Sequence, residues 1–171
     1  TKTTHIFGYN RLNISNISKK KLHFEKIQAY SFSGVKCDDC RFEDISFEGN
    51  MYDINLNRSK IYNSTFNAER LLRTKIVDSH LTNTKFQAVK TNSRTVKSAY
   101  SIITDLSIKN SKLTSVIFDA DYYKSLLLED AKNGYEVLEQ KNDQYPFDVV
   151  LENDEALHDY SCILNLSKNP L

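Results

Sequence analysis

The chain of 171 residues has few of the residues that build tight turns, with 4 Gly and 2 Pro. A β-sandwich or barrel joined by many tight hairpins is therefore disfavoured. No run of about 18 apolar residues occurs, so no transmembrane segment is predicted, and no stretch resembles a signal peptide. The three cysteines are an odd number, which argues against a disulfide framework and favours a reducing compartment. The first residue is Thr rather than Met, from which we expect a piece of a longer protein.

The hydrophobic fraction of 40% is enough for one domain with a sizeable core and too high for a disordered chain. The net charge of +1 conceals a division along the chain. Residues 1–112 hold 19 Lys+Arg against 10 Asp+Glu, whereas residues 113–171 hold 4 against 12. The repetitive first part is therefore basic and the tail is acidic.

An apolar residue recurs at every fifth position over most of the chain, a period that fits neither a helix nor a strand. The first series is Leu12, Ile17, Leu22, Ile27, Phe32, Cys37, Phe42 and Phe47; after a one-residue slip near Asn50 the second is Met51, Leu56, Ile61, Phe66, Leu71, Ile76, Leu81 and Phe86; the third is Ile103, Ile108, Leu113, Phe118, Tyr123 and Leu128. A fixed repeat of this kind predicts a solenoid, in which each repeat buries its apolar side against its neighbours.

The position two residues before each apolar anchor is often small, as at Ser64, Ser79 and Ser111. Positions two apart in extended backbone point to the same side, so both kinds of residue are predicted to face one interior. Large anchors that alternate with small partners can fill a narrow bore at native density. Four charged residues occupy such inward positions, where an unpaired charge is costly: Lys20, Glu25, Glu69 and Asp121.

This pattern resembles the pentapeptide-repeat family over about residues 12–130, and segments such as 64–68, 79–83 and 111–115 match its small–x–Leu/Phe spacing. The resemblance implies an all-β solenoid, a right-handed quadrilateral β-helix with four repeats per coil and about six coils. We expect residues 1–11 to form an N-terminal cap, residues 12–128 the β-helix and residues 129–171 a C-terminal helical or irregular cap. An amphipathic pattern predicts an α-helix near 127–141 in that cap, and the cap is also a candidate surface for homodimerisation.

Between Ala88 and Ser101 the period is lost and returns two residues out of phase. The segment is polar and basic, and we interpret it as a loop at one corner of the β-helix, with an imperfect coil as the alternative. Loops on a rigid scaffold often carry function. The loop therefore adds Lys90, Arg94, Lys97 and Tyr100 to the candidate interaction surface.

The chain contains no grouping of residues that predicts catalysis. Cys37-Asp38-Asp39-Cys40 has the spacing of half a zinc site, but no second pair completes it. The period of five instead places both cysteines inside as small hydrophobic residues. The four His are scattered without a Cys–His or Ser–His–Asp arrangement, and no Gly-rich phosphate loop occurs. We therefore expect no enzyme activity, no cofactor, no metal and no small-molecule substrate.

The position just before each anchor is mostly Lys or Arg, where the family usually has Asp or Asn. With about 20 residues per coil, Lys21, Arg41, Lys60 and His80 are predicted to stack in one outward column. Such a column attracts an acidic partner, a phosphate or an anionic membrane, or serves only solubility.

The rigid rod favours a non-catalytic scaffold for protein–protein interaction. The resemblance implies as one setting a virulence effector, soluble in the bacterial cytoplasm or secreted into a host cell, that binds host or ubiquitin-pathway proteins. A parent protein of that kind would carry its catalytic domain, such as a HECT-like ubiquitin ligase, separately. The alternative is a gyrase-binding DNA mimic, which the basic rod disfavours. Direct nucleic-acid binding is also disfavoured, because Tyr62 and Tyr100 are the only obvious outward aromatic residues among the charges.

Overall fold

A computed structural model describes residues 2–88, 101–120, 122–123, 125–129, 136–139, 148–151 and 163–165, and beyond Ala120 the description is of strand backbone. The strands are β1 Thr4–Phe7, β2 Leu12–Lys20, β3 Leu22–Asp38, β4 Arg41–Asn57, β5 Lys60–Tyr62, β6 Thr65–Val77, β7 His80–Ala88, β8 Ile102–Lys109, β9 Lys112–Ala120, β10 Tyr122–Tyr123, β11 Ser125–Glu129, β12 Glu136–Glu139, β13 Asp148–Leu151 and β14 Ile163–Asn165. Every strand pair is parallel, and together the strands form one sheet. The all-β solenoid predicted from the period of five is therefore confirmed.

The strand register shows where each turn of the solenoid begins and ends. His23 pairs with Arg41, Arg41 with Lys60, and Lys60 with His80, so each turn is slightly longer than the one before. Residues 22–38, 41–57, 60–77 and 80–109 thus form about four stacked turns. Partial turns precede and follow them. The predicted total of six coils depends on residues outside the described part of the chain and stays a prediction.

The next step of the register, from His80 to Lys112, is much longer than the steps before it. The extra residues fall between the buried residues Ala88 and Ser101, at the end of β7 and just before β8. The predicted loop at 88–101 lies there, and its residues 89–100 are outside the described part. The strands on both sides keep their places in the stack.

Most five-residue units divide their positions in the same way, as Ser79-His80-Leu81-Thr82-Asn83 illustrates. Ser79 and Leu81 are buried, Thr82 is partly exposed, and His80 and Asn83 are exposed. Asn83 has a φ of 48°, in the left-handed region. Asn and Asp tolerate this region better than most residues, which explains their frequency at the corner position. Each corner turns the chain so that the next unit again directs its small residue and its anchor inward.

The small inward residues are often serines because their hydroxyl groups bind backbone groups at the corners. The Ser79 hydroxyl accepts the N–H of Ser59 at 3.0 Å and donates to the carbonyl of Val77 at 2.7 Å. The Ser59 and Ser111 hydroxyls make the same two kinds of bond one turn before and one turn after. This serine ladder satisfies backbone donors that would otherwise be buried without a partner.

Aromatic anchors stack along another side of the bore. The rings of Phe66 and Phe86 are 5.4 Å apart and those of Phe86 and Phe118 are 5.6 Å apart, both nearly parallel. Phe47 extends the row at 6.4 Å from Phe66. Because identical anchors lie one above another, each turn buries its apolar side chains on the turns beside it, and the solenoid has one continuous core.

The register slip predicted near Asn50 is confirmed, since the pairing of β4 with β6 shifts between Gly49 and Met51. A Cβ atom added to Gly49 would overlap the backbone carbonyl group of Tyr30 in the preceding turn. Glycine is therefore required there, because β3 and β4 approach too closely for any side chain.

The predicted anchor series is wrong before residue 32. The left-handed corners in this part are Asn16, Lys21 and Lys26, which places the anchors at Ile14 and Phe24. Ile14 pairs with Phe32 and Phe24 with Phe42, later anchors of the same rows. The predicted anchors Leu12, Ile17, Leu22 and Ile27 occupy the small-residue position instead. The sequence pattern misled because a large hydrophobic residue fills the small-residue position of each of these first units, and the anchor position of one of them holds Lys19.

The corrected anchor positions also explain why two of the four charged residues predicted to point inward do not do so. Lys20 is exposed and Glu25 partly exposed, so neither occupies the bore. Glu69 is buried in an inward position as predicted. Asp121 lies outside the described residues.

The C-terminal α-helix predicted near 127–141 is not confirmed. Where this region is described, it is strand, with β11 ending at Glu129 and β12 covering Glu136–Glu139. β11 pairs in parallel with β8, so Leu126–Glu129 continue the solenoid rather than cap it. No helix occurs in the part of the chain that the structure describes.

Candidate functional site

One outward row of the solenoid carries a cation or a histidine in every turn. Each lies in a tripeptide of the form cation–apolar–x, and the strand register stacks the tripeptides directly on one another. The row consists of His5, His23, Arg41, Lys60, His80 and Lys112. Successive members lie about 4.8 Å apart, the spacing of neighbouring strands.

The predicted column is correct for Arg41, Lys60 and His80 and wrong for Lys21. Lys21 forms a left-handed corner, with a φ of 52°, and its carbonyl accepts the N–H of Thr4. His23 occupies the place assigned to Lys21, because the first turns are shorter than the coil length assumed from the repeat. His5, His23 and Lys112 were not predicted, although the repeated cation–apolar–x tripeptide was a signal that could have revealed them.

Carboxylates neutralise the first half of this row. Glu25 Oε1 lies 3.2 Å from His5 Nε2, and Glu43 Oε2 lies 3.2 Å from His23 Nε2 and 3.3 Å from an Arg41 guanidinium nitrogen. Glu25 follows His23 by two positions and Glu43 follows Arg41 by two, so both lie on the face of the row. The first half is therefore a mixed patch of His and Glu with little excess charge.

The second half of the row has no such compensation. Lys60, His80 and Lys112 are followed two positions later by Tyr62, Thr82 and Thr114, none of them acidic. Within residues 2–88 and 101–120 none of these three cations makes an ion pair. We call Lys60, His80 and Lys112, with Arg41 at their edge, the cationic column. The Arg41 guanidinium also packs over the Tyr62 ring, 5.0 Å from its centroid.

The remaining predicted site residues are not part of this description. Lys90, Arg94, Lys97 and Tyr100 all lie within 89–100, outside the residues that the structure describes. Their proximity to the cationic column stays a prediction.

A second basic surface lies around one corner from the cationic column. It is an open groove of about 590 Å³ whose lining includes four lysines, Lys19, Lys20, Lys36 and Lys75. Asp38 is the acidic residue in this lining. We call these four lysines and the cavity between them the lysine groove. The lysine groove lies at the first turns of the solenoid. There Lys19 pairs with the anchor Cys37 but is itself exposed, so its side chain contributes to the surface.

Arg–Asp pairs join successive turns at two corners. The Arg58 guanidinium binds both carboxylate oxygens of Asp38, and this hydrogen bonding lowers the pKa of Asp38 and raises that of Arg58. Arg73 does the same to Asp53, lowering the pKa of that carboxyl group. Asp38 is therefore held ionised by Arg58, which leaves the lysines of the groove in excess.

Cys37 and Cys40 are both buried, as predicted, but they form a disulfide bond. The expectation of two reduced cysteines is wrong. Cys37 is an anchor, and Cys40 is the small inward residue of the next unit, so both point inward on the two sides of the Asp38-Asp39 corner. Their Cα atoms are 5.9 Å apart, within the usual range for a disulfide. The odd number of cysteines argued against disulfides, although the corner brings two of the three together.

Among the described residues, no helix is long and apolar enough to cross a membrane. Comparison of the chain with protein families, with curated proteins and with solved structures finds no match. The resemblance to pentapeptide-repeat proteins therefore rests on the repeat in this sequence alone.

Proposed function

We propose that this solenoid is a non-catalytic scaffold that binds a protein partner through the cationic column. The finer description belongs to the same proposal: a right-handed, quadrilateral rod of six coils, with the partner drawn from host or ubiquitin-pathway proteins met by a bacterial effector. The resemblance to the pentapeptide-repeat family supports that setting.

The observation that carries the proposal is the contrast between the two halves of one row. Carboxylates accompany His5, His23 and Arg41, whereas none accompanies Lys60 or His80. Arg41 and Lys60 are neighbours in the row, and like charges about 5 Å apart repel one another, which solvent only partly screens. An acidic partner surface would relieve this repulsion while gaining attraction of its own.

The rigidity of the support favours binding as well. The cationic column stands on Ile61, Leu81 and Leu113, which are fully buried in the core. Its spacing is set by backbone pairing rather than by flexible loops, so little ordering is needed when a partner binds. A DNA-mimic function is disfavoured, because the column has the opposite charge to DNA.

The test compares two charge-reversal variants of the full chain that change the net charge equally. The first is Lys60→Glu with Lys112→Glu on the cationic column, and the second is Lys36→Glu with Lys75→Glu on the lysine groove. Proteins captured from host and bacterial lysates by the wild type are identified, and the affinity of the best is measured. We expect the first variant to bind about tenfold or more weakly, a loss of about 1.4 kcal/mol, and the second to bind nearly as the wild type does.

Three outcomes would contradict the proposal. Equal binding by the column variant and the wild type would remove the column from the interface. Loss of binding only in the groove variant would move the interface to the lysines. Recovery of gyrase as the specific partner would favour the alternative function.

A further inference from the structure

The first half of the same outward row brings two imidazoles and a carboxylate together. His5 on β1 pairs in register with His23 on β3, and their rings stack with centroids 4.5 Å apart. Glu25 lies two positions after His23 on the same face. Its Oε1 atom is 3.2 Å from His5 Nε2 and 3.8 Å from His23 Nε2. One ligand atom from each of the three residues lies within 4.8 Å of the others.

These separations are those of metal ligands rather than of a crowded surface. Zinc binds imidazole nitrogen and carboxylate oxygen at about 2.0–2.2 Å, so two ligands of a tetrahedral ion lie about 3.4 Å apart. The two distances from Glu25 Oε1, 3.2 and 3.8 Å, bracket that value.

We propose that His5, His23 and Glu25 bind a divalent transition-metal ion, of which Zn²⁺ suits the ligands best. Two imidazoles and one carboxylate form a donor set typical of zinc and of other late first-row metals, and hard cations such as Ca²⁺ prefer oxygen ligands alone. Glu43 Oε2 lies 3.3 Å from an Arg41 guanidinium nitrogen and 3.2 Å from His23 Nε2, so His23 Nε2 would exchange Glu43 for the metal while Arg41 keeps Glu43, and water would complete the coordination.

The two rings must turn out of their stacked arrangement for both nitrogens to face one ion, because stacked rings direct their lone pairs in parallel. His5 can turn readily, since its side chain is about half exposed on the short strand β1. His23 is more buried and would keep its place above the core residue Phe24. The metal would thereby hold β1 onto β3 at the first turn of the solenoid. This site does not depend on the proposed partner of the cationic column.

The test is calorimetric titration of the full chain with Zn²⁺ alone in a buffer that does not chelate metal. We expect one ion per chain at this site with a dissociation constant in the micromolar range, and a rise in melting temperature that grows with zinc concentration. His5→Ala and Glu25→Gln should each weaken binding about tenfold or more. His80→Ala is the matched control, because His80 lies in the same row with no carboxylate beside it, and it should leave zinc binding unchanged. Replacement of Zn²⁺ by Co²⁺ should give the visible absorption of a tetrahedral site.

The proposal is overturned if the wild type does not bind zinc in the micromolar range. It is also overturned if His5→Ala and Glu25→Gln bind as tightly as the wild type, which would place the ion elsewhere. Both substitutions are at the outer surface of the first turns, so circular dichroism should show intact folds. If the spectrum shows that one of the two variants is unfolded, the zinc affinity of the other variant decides between the outcomes.

Discussion

Replacing Ser79 by Ala tests whether the serine ladder holds the turns of the solenoid together. The side chain is buried, and its hydroxyl is the acceptor for the Ser59 N–H in the preceding turn and the donor to the Val77 carbonyl in its own turn. Alanine keeps the backbone and the small volume but removes both bonds. The substitution therefore isolates the hydroxyl group from the packing of the bore.

The expected loss follows from the two groups left behind. The Ser59 N–H is buried and loses its acceptor, which costs about 1–3 kcal/mol, while the lost bond to Val77 is worth about 1 kcal/mol. Alanine is itself a poor strand former, so no gain in strand propensity offsets this loss. We expect the free energy of unfolding to fall by about 2–4 kcal/mol, a large part of the total stability of a small domain.

The measurement is denaturant unfolding followed by circular dichroism, with two comparison variants. Ser79→Thr should be nearly neutral, since Thr74 and Thr84 are buried in the equivalent position of other units and their hydroxyls bind backbone carbonyls in the same way. Ser46→Ala, on the exposed outer surface of β4, should change stability by less than about 0.5 kcal/mol. If Ser79→Ala is as mild as Ser46→Ala, or Ser79→Thr as damaging as Ser79→Ala, the ladder does not stabilise the stack.

Two further substitutions examine the register slip and a corner pair. Gly49→Ala should cost about 3 kcal/mol, because the new Cβ overlaps the Tyr30 carbonyl group. Gly8→Ala, with nothing within 4 Å, should cost only about 1 kcal/mol for its left-handed backbone, and equal losses in urea unfolding would refute the clash. The Arg58 hydrogen bond lowers the folded-state pKa of Asp38, so its contribution is present above the unfolded value and is lost as pH falls below about 4. Asp38→Asn should therefore destabilise the protein at pH 7 and not at pH 2, and a loss that persists unchanged at pH 2 would contradict this reason.

The core could be predicted from the sequence because its rule is local. An anchor such as Leu81 is buried two positions before a left-handed corner and two after a small residue, and most units repeat this arrangement. Such a rule needs no knowledge of which turn lies above which. The slip near Asn50 was visible for the same reason, since it changes the spacing of anchors within the sequence.

The features that sequence reasoning missed depend on ambiguity or on contacts between turns. In the first units Leu22 and Phe24 are both buried, so hydrophobicity alone could not decide which of them is the anchor. The disulfide was missed because an odd cysteine count says nothing about which residues a corner brings together. The cluster of His5, His23 and Glu25 was missed because His5 and His23 are distant in the sequence and meet only when β1 pairs with β3.

The outward row also depends on contacts between turns, because its members are not evenly spaced in the sequence. The interval from Lys60 to His80 is longer than that from His23 to Arg41, and the interval from His80 to Lys112 is longer still, yet each member pairs with the next in register. A search of the sequence for one fixed coil length therefore cannot recover the row. The turns can differ in length because the stacking of anchors, and not a residue count, sets the register. The stacking of the anchors decides which outward residues become neighbours and so sets the charge pattern of the surface. It places a cluster of His and Glu at one end of the row and lysines without carboxylate partners at the other.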